Sequence, residues 1–507
     1  MTCLAYYNRK FTTRLIFSWL DITIAGFILF SFVRLIFTPG ISADNIKFLL
    51  FFINGLLYFI IKPFLFETDK KDQSLPVATI VNILLIIALI QACWGFLQYF
   101  DIKPNLDGQF KIGGAYSNPG QYTSFLAPLL SFALAVCFFS KKKNKTLGLL
   151  ASLAIVAILP FTQARTAWIS ALMVVLYLAN KRYQLLNRFS NFLKSAVLRI
   201  IVIILIAIMV VISGYYIYNL KRNSSSGRLF IWQVSVTMIK ENPVWGYGFD
   251  RFAAAHNDYQ AQYFKNHPND SKKAEVADGV NYAFNEFIQV AVETGIIGLI
   301  LLMLLFFFAF RAKTGSPDSG EENLYFYAAK GSIMAIFISM LFSYPLHIIP
   351  SLSLLFFSLA IVSAMSKQKV LFHIPLSPKT RKGLSILGII IVVIFSVAQF
   401  LRNDAEREWI KAYQMMRKNQ PEEAYNLYRE LYHTLTYNQF FLFNYGLELS
   451  LMKRYDESIT ILKEAEPRLN DSDFYIYLGS SYENKGNIAA AELCYLKASC
   501  YAFEIFR

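Results

Sequence analysis

Residues 219–299 read NLKRNSSSGRLFIWQVSVTMIKENPVWGYGFDRFAAAHNDYQAQYFKNHPNDSKKAEVADGVNYAFNEFIQVAVETGIIGL, the longest polar interval inside an otherwise apolar first 400 residues. One hydrophobic segment runs into it at Tyr218 and another leaves it after Ala283. If both segments cross a membrane, the interval is a large extramembrane loop tied down at its two ends. Loops carried on rigid scaffolds are where binding and catalytic residues concentrate.

The composition supports that frame. The 507 residues are 55% hydrophobic and 16% charged, with 46 Phe, against about 25% charged in soluble domains. Apolar runs of about 18 or more residues indicate an integral membrane protein. The first run follows Arg9, Lys10 and Arg14. It is too long for a signal-peptide core and lacks a small-residue cleavage site, so it is expected to be retained. The net charge of +15 is read as orientation signal, with no nucleic-acid partner. The five cysteines are scattered, and Cys494 and Cys500 fall on different faces of one predicted helix. Neither a disulfide framework nor a metal spacing follows, so no metal or cofactor is expected.

Eleven spans are predicted, at roughly 14–37, 46–67, 76–100, 121–140, 146–163, 165–180, 196–218, 283–310, 323–345, 350–366 and 383–401. Basic connections alternate with connections poor in Lys and Arg: KKKNK at 141–145, KRYQLLNR at 181–188 and PKTRK at 378–382 belong to the basic set. The positive-inside rule then puts the N-terminus in the cytoplasm. The 219–282 loop and the C-terminus fall on the other side, the periplasm of a Gram-negative cell. The expected fold is an all-α, polytopic membrane helix bundle of 11–12 spans (residues 1–402), with a large periplasmic loop and a second domain at 403–507. That second domain shows a period. Ala412, Gly446 and Gly479 are 34 and 33 apart, and Ala424, Ser458 and Ala491 repeat the spacing. The period resembles tetratricopeptide repeats, in which about 34 residues form each helical pair. Such repeats offer a surface for a protein partner.

Four constellations fall at the predicted outer face. In GGAYSNPGQYTSFLA (113–127), Asn118 opens a membrane helix, whose free N–H groups suit a phosphate; plain helix initiation competes with this reading. In FTQARTAW (161–168), Arg165 lies near the membrane boundary, where it either meets an anion or serves as an interfacial anchor. In SSSGRLFIWQVSVTMIKENPVWGYGFDRF (224–252), Ser224–Ser226 are expected to cap a helix that presents Arg228, before a Gly-rich turn at 244–249. A guanidinium beside a helix N-terminus suits a diphosphate; a merely solvated arginine is the alternative. In NYAFNEFIQVAVETGIIGL (281–299), Asn285, Glu286, Gln289 and Glu293 form a polar stripe at helical spacing. Such stripes face a cavity or the bundle interior, although Glu293-Thr294-Gly295 also reads as a packing site.

In their order and topology these motifs resemble the O-antigen ligase and O-antigen polymerase superfamily, which includes bacterial protein O-oligosaccharyltransferases. The resemblance covers roughly 85–365. It implies an inverting membrane glycosyltransferase fold and a metal-free transfer of glycan from an undecaprenyl-diphosphate carrier to an acceptor hydroxyl at the cell inner membrane. It implies that Arg165 and Arg228 hold the donor diphosphate, with Asn118 and Asn285 in support. Many ligases carry a histidine just before the Asn; here the position is Phe284. Glu286 is therefore the first candidate base and His256, in AAAHND, the second. His347, in YPLHIIP, is expected to be a packed histidine. Transfer to lipid A–core ranks first, polysaccharide polymerisation second and protein O-glycosylation third. A non-catalytic transporter or assembly scaffold is the alternative of a different class.

Overall fold

The computed structural model describes residues 14–38, 46–65, 75–105, 110–140, 142–185, 187–188, 195, 200–201, 204, 222–277, 279–315, 323–367, 369–375 and 377–501. The chain folds as an all-α polytopic membrane bundle. Its membrane part comprises α1 (Trp19–Ile36), α2 (Ile46–Ile61), α3 (Leu75–Tyr99), α4 (Pro119–Phe139), α5 (Lys142–Ile158) and α6 (Arg165–Tyr183). The extramembrane interval holds α7 (Arg222–Glu241) and α8 (Phe252–Asn266). The bundle resumes with α9 (Glu286–Arg311), α10 (Leu324–Met340), α11 (Ile349–Met365) and α12 (Pro378–Arg417). Then come α13 (Pro421–Leu435), α14 (Gln439–Leu451), α15 (Tyr455–Ala465), α16 (Ser472–Asn484) and α17 (Ile488–Tyr501).

Among the described residues, six helices are long and apolar enough to cross a membrane: Trp19–Ile36, Val77–Tyr99, Pro119–Phe139, Asn144–Thr162, Glu286–Arg311 and Lys382–Arg417. Lys47–Ile61, Leu324–Met340 and Ile349–Met365 are shorter apolar helices. The expected 165–180 span falls on α6, a helix that belongs to neither group, and the expected 196–218 span falls almost wholly outside the described residues. Besides the helices, β1 (Arg14–Phe17) pairs antiparallel with β2 (Phe372–Pro375), tying the start of α1 to the approach to α12.

Lipid gives helices little hydrophobic reason to associate, so close approach and interhelical hydrogen bonds hold such a bundle. α4 lies at its centre, with nearly every side chain buried. Ser131 Oγ donates to Ala328 O on α10 at 2.7 Å, and Ser170 Oγ on α6 donates to Ala335 O on α10 at 3.2 Å. At the β-hairpin end, the buried Asp21 of α1 receives Lys62 Nζ at 2.6 Å, Tyr58 OH at 2.5 Å and Ser363 Oγ at 3.1 Å. A buried carboxylate so fully paired fastens α1, α2 and the far end of α11 to one another.

α9 is broken at Gly295, whose φ of 65° and ψ of −167° leave the helical region. The break frees the carbonyls of Val292 and Glu293, and the NPVWGYG turn fills the gap. Tyr247 N donates to Val292 O, Gly248 N to Glu293 O, and Ile296 N to Pro243 O, each at 2.8 Å. A Cβ on Gly295 would lie 2.0 Å from Val244 O. Broken membrane helices are tolerated where other protein groups satisfy the backbone, as this turn does.

The polarity change at Arg402 is not a break: α12 runs 40 residues without interruption, about 60 Å at 1.5 Å per residue. Its distal half packs with α13, and α14–α15 and α16–α17 form further antiparallel hairpins. Ala412 and Ala424 are fully buried, and Gly446 lies against Leu462, whose side chain a Cβ would meet at 2.6 Å. These hairpins share one apolar core with α7 and α8, including Phe230, Met238, Phe252, Phe441, Leu462 and Phe474. The polar seam between them includes Arg251 Nη1 donating to Pro467 O at 2.8 Å and Asn470 Nδ2 donating to Ala254 O at 2.9 Å.

Candidate active site

The polar stripe of α9 starts from its cap. Asn285 Oδ1 accepts from the amides of Phe287 at 3.0 Å and Ile288 at 3.1 Å, while its Nδ2 donates to Leu341 O at 3.1 Å. Glu286, Gln289 and Glu293 follow at spacings of three and four, on one face. All three are buried, Glu286 being 1% exposed. They line a small cavity of about 80 Å³ together with Lys47, Asp250 and His347. Lys47 and Asp250 form an ion pair across it.

Glu286 Oε1 receives the amide of Leu346 at 2.7 Å and faces His347 Nδ1 at 3.4 Å. Its other oxygen, Oε2, is buried without a hydrogen bond. Gln289 Oε1 accepts from Ala283 N at 3.1 Å, which turns its NH2 toward Glu293 Oε1 at 3.2 Å and His347 Nε2 at 3.1 Å. The amide donor makes Nε2 of neutral His347 an acceptor and leaves the ring proton on Nδ1, toward Glu286. Burial opposes a charge on His347, but the carboxylates of Glu286 and Glu293 outweigh it and hold the pKa above the ordinary histidine value. His347 is thus not a passive packed histidine: the turn Pro345–His347 presents its ring to the first residue of α9.

The two arginines lie near one another, and Arg228 reaches the neighbourhood of this pair through Phe284, two residues before Glu286. Arg165 opens α6, and its Nη1 donates to Ser225 Oγ at 2.9 Å. α7 begins at Arg222, so Ser225 lies inside its first turns and receives Arg165 instead of capping the helix. Arg228 Nη1 donates to Phe342 O at 2.8 Å, and its guanidinium lies 4.9 Å over the Phe284 ring. Among the described residues Arg228 has no carboxylate partner. Burial, and then the nearby charge of Arg165, push its pKa down to about 10. Phe284 holds a left-handed backbone with φ of 50°, a costly conformation for a bulky residue and one that clusters at functional sites.

Asn118 caps α4 by accepting Gln121 N at 3.0 Å, and its Nδ2 donates to Tyr344 OH at 3.2 Å. Tyr344 stacks on Tyr282 at 4.3 Å, and Tyr282 in turn meets His347 at 4.8 Å. Residues 341–348 therefore join the site: two of their carbonyls hold Asn285 and Arg228, and two of their side chains meet Asn118 and Glu286. The sequence signal for this segment is weak, consisting of SYPLHIIP, a short polar turn between two apolar helices.

His256 is not brought to this site. It is fully buried in the second core, stacked on Phe252 at 5.3 Å, with Nε2 3.4 Å from Ile231 O. Burial lowers its pKa to about 4. Its neighbours are the packing residues of α7 and α8, unlike those of a base open to substrate. Among the described residues no group of three or more His, Cys, Asp or Glu is placed to hold a metal ion.

A search of curated proteins finds no match. The stretch from α5 through the first two-thirds of α9 carries Arg165, Arg228 and the polar stripe, and across it, at residues 150–303, the chain matches the family described as O-antigen ligase.

Proposed function

We propose that this chain is an O-antigen ligase. It moves a glycan from undecaprenyl diphosphate to a hydroxyl of lipid A–core on the outer side of the cell inner membrane. The family match supports a membrane enzyme of the ligase or polymerase type. The observation that supports the finer reading is the proximity of Arg165 to Arg228, with Arg228 stacked on Phe284, two residues before the buried Glu286 that faces His347. In this reading the loop and the repeat domain are both periplasmic, and the apolar core they share supports a common side.

The donor diphosphate lies against Arg165 and Arg228, both already aligned by Ser225 and Phe342 O. The acceptor hydroxyl loses its proton to Glu286, whose Oε2 has no other hydrogen bond. Its oxygen attacks the anomeric carbon, the bond to the diphosphate oxygen breaks, and the configuration inverts. The two guanidiniums stabilise the charge on the departing diphosphate, in a setting that needs no reorganisation at that moment. His347 and the Leu346 amide position the carboxylate. An apolar groove of about 370 Å³ begins at Asn285 and continues past Ile288, Met303 and Phe337. Its residues Asn285 and Leu341 adjoin in sequence Phe284 and Phe342, which hold Arg228, so it is the candidate seat for the polyprenyl chain.

The test is purified protein with a lipid-diphosphate oligosaccharide and an acceptor, followed by carrier release. Arg165→Ala and Arg228→Ala should each abolish release in folded protein. Normal turnover in both would remove the assignment and favour a non-catalytic scaffold. The product separates the remaining readings: a lengthened carrier-linked chain means polymerase, and a glycosylated protein means an O-oligosaccharyltransferase.

A further inference from the structure

A second cavity, about 670 Å³, opens between α8 and the repeat hairpins. None of its lining residues touches the Glu286 pair. Tyr247, Arg251 and Tyr259 form one wall; Lys463, Tyr475 and Lys497 belong to the other. We propose that this cleft binds an oligosaccharide, the glycan part of a substrate whose reacting end lies at Glu286. The inference rests on the transferase reading and adds to it a place for the sugar chain.

Three features favour a sugar. The charges nearly balance, since Asp258 and Glu466 line the cleft beside its three cations. Several are already satisfied: Lys497 Nζ donates to Glu466 Oε1 at 3.2 Å, and Arg251 Nη1 to Pro467 O at 2.8 Å. The cleft thus offers no bare block of charge to a polyanion. Donors and acceptors alternate with tyrosines, which suits hydroxyls that both donate and accept and rings with apolar faces. The aliphatic side chains in its lining are few, Ala254, Ala255 and Pro467, so its apolar surface is offered mainly by tyrosine rings, which argues against a peptide with buried aliphatic anchors. The size lies within the range of ligand pockets, about 300–1,000 Å³.

The cleft and the inner cavity are lined by consecutive residues of one stretch of chain. Asp250 lines the inner cavity and Arg251, the next residue, lines the cleft. Asp250 adopts a left-handed backbone with φ of 62°, which turns the chain between them. A glycan seated on Arg251 is therefore one residue removed along the chain from the inner cavity wall.

The experiment uses the full-length protein in nanodiscs on an array of bacterial surface oligosaccharides, neutral and acidic, beside an array of acidic peptides. The wild type should retain oligosaccharides, and Ala255→Trp, which fills the cleft, should weaken retention about tenfold or more. Should that variant fail to fold, Lys463→Ala with Asp258→Ala serves in its place. Glu286→Gln and Arg228→Ala should bind as the wild type does. Loss of transfer and loss of cleft binding can then be told apart. A second arm compares KM for the lipid-linked donor and for a free acceptor oligosaccharide; the one that rises in Ala255→Trp identifies the bound glycan. No retained oligosaccharide, equal retention by the filled variant, or capture of peptides in preference to glycans would overturn the proposal.

Discussion

The carboxylate of Glu286 faces Nδ1 of His347 at 3.4 Å while it holds the Leu346 amide at 2.7 Å. The first residue of α9 and the turn before α11 are thereby one buried unit. Glu286→Gln keeps the shape and removes the base, so transfer should fall about 10²-fold or more. His347→Gln should cost less and act on kcat with KM spared. In the wild type, charging of His347 places a positive charge beside the carboxylate proposed to take the acceptor proton, which opposes that transfer. Because the His347 pKa is raised above 6.5, the rate should begin to decline, as pH falls, at a pH higher than that value. The pH–rate profile of His347→Gln should lack that limb; an unchanged limb would exclude His347.

Arg228 stacks on Phe284 and points at Phe342 O. Arg228→Ala should lower carrier release about 10²–10³-fold, the usual loss for one preorganised charge-stabilising donor. Arg228→Lys should recover only part of it, because an ammonium keeps the charge but not the planar fork. Full recovery by Lys would mean that charge alone is needed.

His256 predicts an effect on stability, separate from activity. Its pKa of about 4 in the fold lies below the ordinary 6.5. The unfolded chain takes up a proton between these values and the folded one does not. Its contribution is therefore complete above pH 6.5 and is lost as pH falls toward 4, amounting to ~3 kcal/mol in total. Melting midpoints of the wild type should drop over that window, and a His256→Phe variant should show a flatter curve. Parallel curves would assign the acid sensitivity elsewhere.

Gly295 is the hinge on which the NPVWGYG turn docks. Gly295→Ala adds a Cβ 2.0 Å from Val244 O at a φ of 65°, so a loss of roughly 2–4 kcal/mol is expected. A thermal melt within a degree of the wild type would show that the helix break can close.

In the proposed topology α7, α8 and the hairpins lie on one side of the bilayer, a reading that their shared core supports. Cysteines introduced at Ser224 and Lys463 in a cysteine-free background should react with an impermeant maleimide from the same side, and one at Lys181 from the other. Labelling of Ser224 and Lys463 from opposite sides would refute the arrangement.

Residue chemistry written along the chain determined much of this. Apolar runs of span length point to membrane helices, since hydrocarbon offers the backbone no partner outside a helix or closed barrel. Asn118 announces its helix start, because an Asn at the N-cap position accepts from an orphan amide, whereas Asn285 reads as part of the polar stripe and is the cap of the helix that carries it. The spacing of Glu286, Gln289 and Glu293 fixes a common face. What no spacing could reveal is which distant segments meet. His256 looks like a displaced catalytic histidine in sequence and is packed against Phe252 in the fold, whereas His347 looks like packing and faces Glu286 across 61 residues of chain. Ser225 reads as a cap and receives Arg165. A charge or a ring acquires its role from the partner that burial forces upon it. That partner is chosen by how α4, α6, α9 and α10 pack, which only the tertiary structure decides.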